Sequence, residues 1–298
     1  RSLAGRGMLQ TAMEEAFYTL EMAPTYLPLH TAIGDLLLQD GKVTDAVAKY
    51  MLVVRLYSLR GDNTQAISLL KHLTQVAPMD LSVHNRLIEL LLEQGRIDDA
   101  IQQTMEKATV YYRLGELDAT RQTYLTALRL VQRSANNRKW AFQVLGRLAD
   151  LDVQRLDWRQ ALRFYEQMRT LQPEDQTTRQ HLMDLNFRLG QDKAAYSELE
   201  NYLSFLQDHH QLVQSVEFLR SMITDLPGKH ELYRQLANVF IKLKRTEEAV
   251  QILDRLADLY MDQDDRAQAL SLLEEIIRLN PLNKGQYLAA LEQLRGNG

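Results

Sequence analysis

Gly34-Asp35-Leu36-Leu37-Leu38-Gln39-Asp40-Gly41-Lys42-Val43-Thr44-Asp45-Ala46-Val47-Ala48-Lys49-Tyr50 contains a short pattern that decides the fold. Gly41 is followed five positions later by the small residue Ala46 and four further on by the large residue Tyr50. The same triplet returns as Gly61, Ala66 and Leu70, and as Gly190, Ala195 and Leu199. Followed along the chain, the first position reads Gly7, Gly41, Gly61, Gly95, Gly115, Leu156, Gly190, His210, Lys244 and Asp264. The small position reads Ala12, Ala46, Ala66, Ala100, Thr120, Ala161, Ala195, Ser215, Ala249 and Ala269. Eight of these ten are alanine, so the chain is built from repeats, and the turn residue serves as their anchor.

The anchors are separated by 34, 20, 34, 20, 41, 34, 20, 34 and 20 residues. A spacing of 34 predicts a helix-turn-helix unit, and one of 20 predicts a single helix of about 17 residues plus a turn. The prolines obey the same register. Pro24, Pro78, Pro173, Pro227 and Pro281 each lie 17 residues after an anchor, where one helix ends and the next begins. Before a 20-residue spacing the equivalent residues are Ser58, Tyr112, Gln207 and Met261. There the helix runs on, and a proline would cost about 3 kcal/mol or more. The 41-residue spacing holds seven extra residues, matched by the polar stretch Arg133-Ser134-Ala135-Asn136-Asn137-Arg138-Lys139.

These residues resemble the tetratricopeptide repeat family. Gly34, Leu37, Gly41, Ala46 and Tyr50 match one unit, and Ala161, Tyr165 and Pro173 match another. The resemblance runs from about Gly5 to Arg295 and implies an all-α, right-handed superhelix of about sixteen antiparallel helices. The 20-residue spacings depart from the family's pattern. They make helices such as Thr44–Leu59 shared between successive repeats, with Val53, Val54, Leu256 and Ala257 packing on both neighbours. An odd number of helices swaps the face that a helix lines. The expected organisation is one continuous solenoid over 1–298, with a local break at 133–139 between two sub-arrays. The chain opens on Arg1 and ends on Gly298, which is itself an anchor position, so it reads as a fragment of a longer bacterial-type protein.

Composition narrows the function. The 298 residues are 45% hydrophobic and 25% charged, and contain no cysteine. That excludes structural disulfides, thiolate metal sites and a cysteine nucleophile. A net charge of −4 without a strongly basic run argues against nucleic acid. No apolar run reaches the roughly 18 residues of a membrane span. The expected location is cytoplasmic.

No catalytic, cofactor or metal site is expected. Ser68-Leu69-Leu70-Lys71 fits a serine–lysine motif, but lies mid-helix on what reads as a packing face. Gly5-Arg6-Gly7 lacks the preceding strand of a phosphate loop. Asp262, Asp264 and Asp265 lack the glycine and glutamate of a calcium loop, since Ala267 and Leu273 stand there. Arg60-Gly61-Asp62 reads as the repeat's own turn. His209 and His210 project about 100° apart. His30, His84 and His230 near helix starts read as structural, and Tyr57, Tyr111, Tyr112 and Tyr260 as packing between helices.

The resemblance also implies that residues ten, six and two before each anchor face a concave groove. Six before stand Asp35, Glu89, Asp150, Asp184 and Asn238. Two before stand Gln39, Glu93, Gln154, Arg188 and Lys242, and ten before is Arg234. The groove would be acidic toward the N-terminus and basic toward the C-terminus, steering a partner segment with basic residues. The equivalents on the shared helices, Arg55, Thr109, Ser204 and Asp258, interrupt the series. Arg234 and Asn238 match the family's clamp for C-terminal carboxylates on a single unit, so no clamp is expected. The implied function is a protein-interaction scaffold that binds a partner peptide or helix in its groove. The alternative is a ligand- or peptide-sensing arm of a larger signalling or transcription protein.

Overall fold

A computed structural model describes residues 8–296. Gly7, Gly298 and the Gly5-Arg6-Gly7 fragment lie outside the described residues. Nine anchors remain, and all nine adopt the left-handed region, with φ from 58° at His210 to 80° at Gly61. The backbone reason is the same at each. At Gly41, the Gly41 N–H donates to the Leu38 carbonyl at 3.0 Å and the Lys42 N–H to the Leu37 carbonyl at 2.9 Å. This pair of bonds satisfies carbonyls that the end of a helix leaves open. It recurs at every one of the nine, as Arg96 to Leu91, Asp157 to Asp152 and Asp265 to Tyr260 illustrate. Asn280 takes the same conformation, φ 55°, just before Pro281.

The described residues form sixteen helices and no strand. They divide into two compact units, Arg1–Leu171 and Gln172–Gly298. The first unit holds α1 (Leu9–Met22), α2 (Leu27–Gln39), α3 (Val43–Leu59), α4 (Asn63–Val76), α5 (Leu81–Glu93), α6 (Ile97–Arg113), α7 (Leu117–Val131), α8 (Asn137–Gln154) and α9 (Trp158–Leu171). The second holds α10 (Gln176–Arg188), α11 (Asp192–Asp208), α12 (Leu212–Asp225), α13 (His230–Lys242), α14 (Thr246–Asp262), α15 (Arg266–Arg278) and α16 (Lys284–Gly296).

Helix length follows the anchor spacing. The shared helices α3, α6, α11 and α14 each have 17 residues, and α2, α5, α10 and α13 each have 13. A 20-residue and a 34-residue spacing together make a three-helix period of 54, as from Gly41 to Gly95 and from Gly190 to Lys244.

Within each unit every consecutive pair of helices packs together. The small residue five after each anchor lies at these crossings, fully buried from Ala46 through Ala269. It lets two helix axes approach closely, and the large residue four further on fills the space beside it. Tyr50, Leu70, Tyr124, Tyr165, Leu199, Leu219, Leu253 and Leu273 are all buried there. Val53, Val54, Leu256 and Ala257 on the shared helices are buried as well.

Hydrogen bonds also join helices two apart. Arg86 on α5 donates to Ser58 on α3, Tyr112 on α6 to Gln154 on α8, and Lys242 on α13 to Gln207 on α11. Within each unit, therefore, odd-numbered helices share one layer and even-numbered helices the other.

The 133–139 stretch is only partly a loop, because α8 starts at Asn137 and runs 18 residues. Ser134 and Asn136 both donate to the Asp98 carboxylate at the start of α6, and α7 packs directly on α8. The two units meet in sequence between Leu171 and Gln172.

Leu156 is a β-carbon-bearing residue at φ 60°, a conformation that costs an L-residue about 1–2 kcal/mol. Leu156→Gly is expected to raise stability by about 0.5–1 kcal/mol, and Gly95→Ala, at φ 68°, to lower it by a similar amount. Urea unfolding midpoints would read both. Equal and same-signed shifts would show that turn conformation does not set the cost.

Candidate functional site

Among the residues six before the anchors, the packing beneath gives two a shared geometry. In the α2–α3 hairpin the Tyr50 ring packs against Gly34. A β-carbon at 34 would sit 2.7 Å from Tyr50 Cζ. Held there, the buried Tyr50 donates its phenol proton to Asp35 Oδ1 at 2.6 Å. In the α8–α9 hairpin the buried Tyr165 donates to Asp150 Oδ1 at 3.0 Å. Both pairs are 15 residues apart in sequence. Burial, then the bond to Asp35 and its charge, push the Tyr50 phenol far above its usual pKa. Burial and the Asp150 charge do the same to Tyr165. Both phenols therefore stay protonated donors, and each fixes one carboxylate oxygen.

Asp150 opens on a cavity of about 250 Å³ between α6 and α8, floored by Tyr124 of α7. Thr109, Tyr112, Arg147, Leu151 and Gln154 complete its walls. Tyr112 donates to Gln154 Oε1 at 2.8 Å and is 44% exposed. That bond crosses between α6 and α8.

The remaining positions are placed differently. Glu89 is exposed on α5 and accepts from Arg86 at 3.0 Å. Asp184, half-buried on α10, accepts from Arg188 at 2.7 Å. Arg234 on α13 pairs with Glu275 of α15 at 3.3 Å. Lys242 donates to Gln207 at 2.6 Å, and Asn238 is half-buried between them on α13.

Layer membership decides which of these share a face. Asp35 and Asp150 belong to the even layer of the first unit, and Glu89 to the odd layer. In the second unit Asp184 and Arg188 lie on α10, in the even layer, and Arg234, Asn238 and Lys242 on α13, in the odd layer. Three helices per period place successive first helices on alternate faces.

Other sequence motifs are structural. Ser68 and Lys71 are mid-helix on α4 but face solvent, not the packing face expected from the sequence; the buried residue there is Leu70. His30 and His84 are buried, each bonding a proline carbonyl six residues earlier, Pro24 at 2.7 Å and Pro78 at 3.0 Å. Arg179 takes the same role toward Pro173 and pairs with the buried Glu198. His230 packs edge-on against Tyr260. Asp265 caps α15 through the Gln268 N–H. Among the described residues no group of three or more histidine and carboxylate side chains is placed to hold a metal, and no helix is long and apolar enough to cross a membrane.

Models of the tetratricopeptide repeat match residues 54–109, 232–267 and 252–285. No curated protein matches the chain. Solved structures that are similar include a tetratricopeptide repeat protein from Parabacteroides merdae, at 14% identity and TM-score 0.32, covering 83% of this chain and 98% of that one. The tetratricopeptide repeat domain of P58(IPK) is 15% identical with TM-score 0.32, covering 99% and 94%. NprR in complex with its cognate peptide NprX is 13% identical with TM-score 0.36, covering 84% and 78%.

Because Gly34 is the contact surface for Tyr50, Gly34→Ala is expected to displace the ring and destabilise the first unit by about 1–3 kcal/mol. In a Tyr50→Ala background the same change should cost little. A double-mutant cycle read by urea unfolding checks this, and an unchanged cost in that background would rule out the ring contact as the cause.

Proposed function

Taking as premise that this chain is a solenoid of tetratricopeptide repeats, we propose that it is a protein-interaction scaffold whose even-layer face in the first unit grips basic side chains of a partner peptide. The observation that carries this reading is the repeated tyrosine–aspartate pair, Tyr50 with Asp35 and Tyr165 with Asp150. A carboxylate fixed on one oxygen loses little further freedom when a lysine or arginine approaches the other, so binding is pre-organised. At Asp150 the cavity adds the exposed Tyr112 ring for a cation–π contact and the Gln154 amide. Repeats of this kind bind extended peptides or helices along their surfaces by many modest contacts.

In the second unit the reading extends to Asp184 with Arg188 on α10, and to Arg234, Asn238 and Lys242 on α13. There each acidic residue is matched by a cation, which suits a partner of mixed charge. Glu89, held by Arg86, contributes to the opposite face of the first unit. The repeat architecture supports a binding role.

A panel of lysine- and arginine-bearing peptides, titrated by fluorescence anisotropy, tests the reading. Asp35→Asn with Asp150→Asn is expected to weaken the best binder by about 5–20-fold. Tyr50→Phe with Tyr165→Phe should weaken it by about 2–3-fold, since the carboxylates stay but are no longer fixed. Binding indifferent to both pairs of substitutions would sink the proposal.

A further inference from the structure

A second cavity, of about 290 Å³, lies between α5 and α7 of the first unit, above α6. Its one cationic lining group is Lys107 of α6, with Ile88 and Leu92 from α5 and Leu130 from α7 forming apolar walls. Gln122 and Thr126 add hydrogen-bonding groups from α7. The Lys107 side chain is half-buried. It makes no ion pair among the described residues, and its ammonium stands 5.7 Å from the Tyr111 ring centroid. The acidic group at this cavity, Glu89, is engaged by Arg86 at 3.0 Å.

A half-buried ammonium without a counter-ion is costly, and burial alone draws the Lys107 pKa below the ordinary lysine value. An anion entering the cavity would relieve that cost. The apolar walls select which anion, because a strongly hydrated inorganic ion gains nothing from Ile88, Leu92 and Leu130, whereas a carboxylate on an aliphatic stem fills both parts. The volume is near the small end of the range for organic ligands, about 300–1,000 Å³.

We propose that this cavity is a binding site for an aliphatic carboxylate, with Lys107 taking the head group and Ile88, Leu92 and Leu130 the stem. The carboxylate could belong to a partner protein's glutamate side chain or to a free short-chain acid, since both present the same chemistry. The site is independent of the proposed basic-peptide face, because neither Asp35 nor Asp150 lines it.

The test is a titration of the full chain, labelled at isoleucine and leucine methyls, followed by NMR. One arm uses sodium hexanoate, a second an end-blocked Leu-Glu-Leu peptide, and a control uses sodium chloride at matched ionic strength. Saturable shifts of the Ile88, Leu92 and Leu130 methyls are expected, absent with chloride. Lys107→Met keeps the stem and removes the charge, and should weaken binding by about tenfold or more. It is tolerated by a half-buried position, and unchanged methyl signals elsewhere verify its fold. Glu89→Gln removes a like charge at the cavity and should tighten binding by about 2–3-fold. Asp35→Asn with Asp150→Asn should leave it unchanged, which separates this site from the basic-peptide face. Tighter binding of the peptide identifies a protein side chain as the source, and tighter binding of hexanoate a free acid. Shifts that are linear, that chloride reproduces, or that Lys107→Met leaves intact would overturn the assignment.

Discussion

The left-handed residue that closes nine turns of this chain is the constraint on which the rest depends. Its two backbone hydrogen bonds stop one helix, reverse the chain and start the next within three or four residues. Five residues later a small side chain sits at the helix crossing, so the turn and the close approach keep a constant phase. The device is made of backbone, and side chains only have to tolerate it. Glycine does so without strain at Gly41, Gly61, Gly95, Gly115 and Gly190, while Leu156, His210, Lys244 and Asp264 hold the same conformation at some cost. Burial of Ala161, Ser215, Ala249 and Ala269 against neighbouring helices offsets that cost.

The 20-residue spacing has a larger consequence than its length suggests. It adds a third helix to a two-helix unit, and the third helix reverses the layer in which the next unit begins. Asp35 and Glu89 occupy the same register position, yet lie in opposite layers of the first unit. A second spacing of this kind, followed by the extended α8, returns Asp150 to the layer of Asp35. The surface that register alone would make continuous is thereby divided into two faces of different chemistry. One carries carboxylates fixed by tyrosines; the other holds the Lys107 cavity beside Glu89 and Arg86.

The paired use of tyrosine explains why two of the acidic positions differ from the others. Fifteen residues after Glu89 and Asp184 stand Thr104 and Leu199 in place of tyrosine, and each carboxylate pairs with an arginine on its own helix. Fifteen residues after Asp35 and Asp150 stand the buried Tyr50 and Tyr165, whose hydroxyls donate to those carboxylates. Lys107 belongs to neither group. It stands on a shared helix whose position in the repeat has no assigned face, so register offers no reason to notice it.

Much of the fold was legible in the amino-acid sequence by itself. The anchor spacing set the number of helices, the length of the shared helices and the buried small residues, because all of these depend on local backbone geometry and on period. The 15-residue interval between Asp35 and Tyr50, and between Asp150 and Tyr165, was also present to be read. What only the tertiary structure decided is which of these residues meet. Exposure at Tyr112, Ser68 and Lys71, the cavities beside Asp150 and Lys107, and the ion pairs of Glu89, Asp184 and Arg234 all depend on how the helices pack. Those contacts are set by how layers stack, and a one-dimensional period carries no information about the layer a helix joins until the helices between are counted and packed.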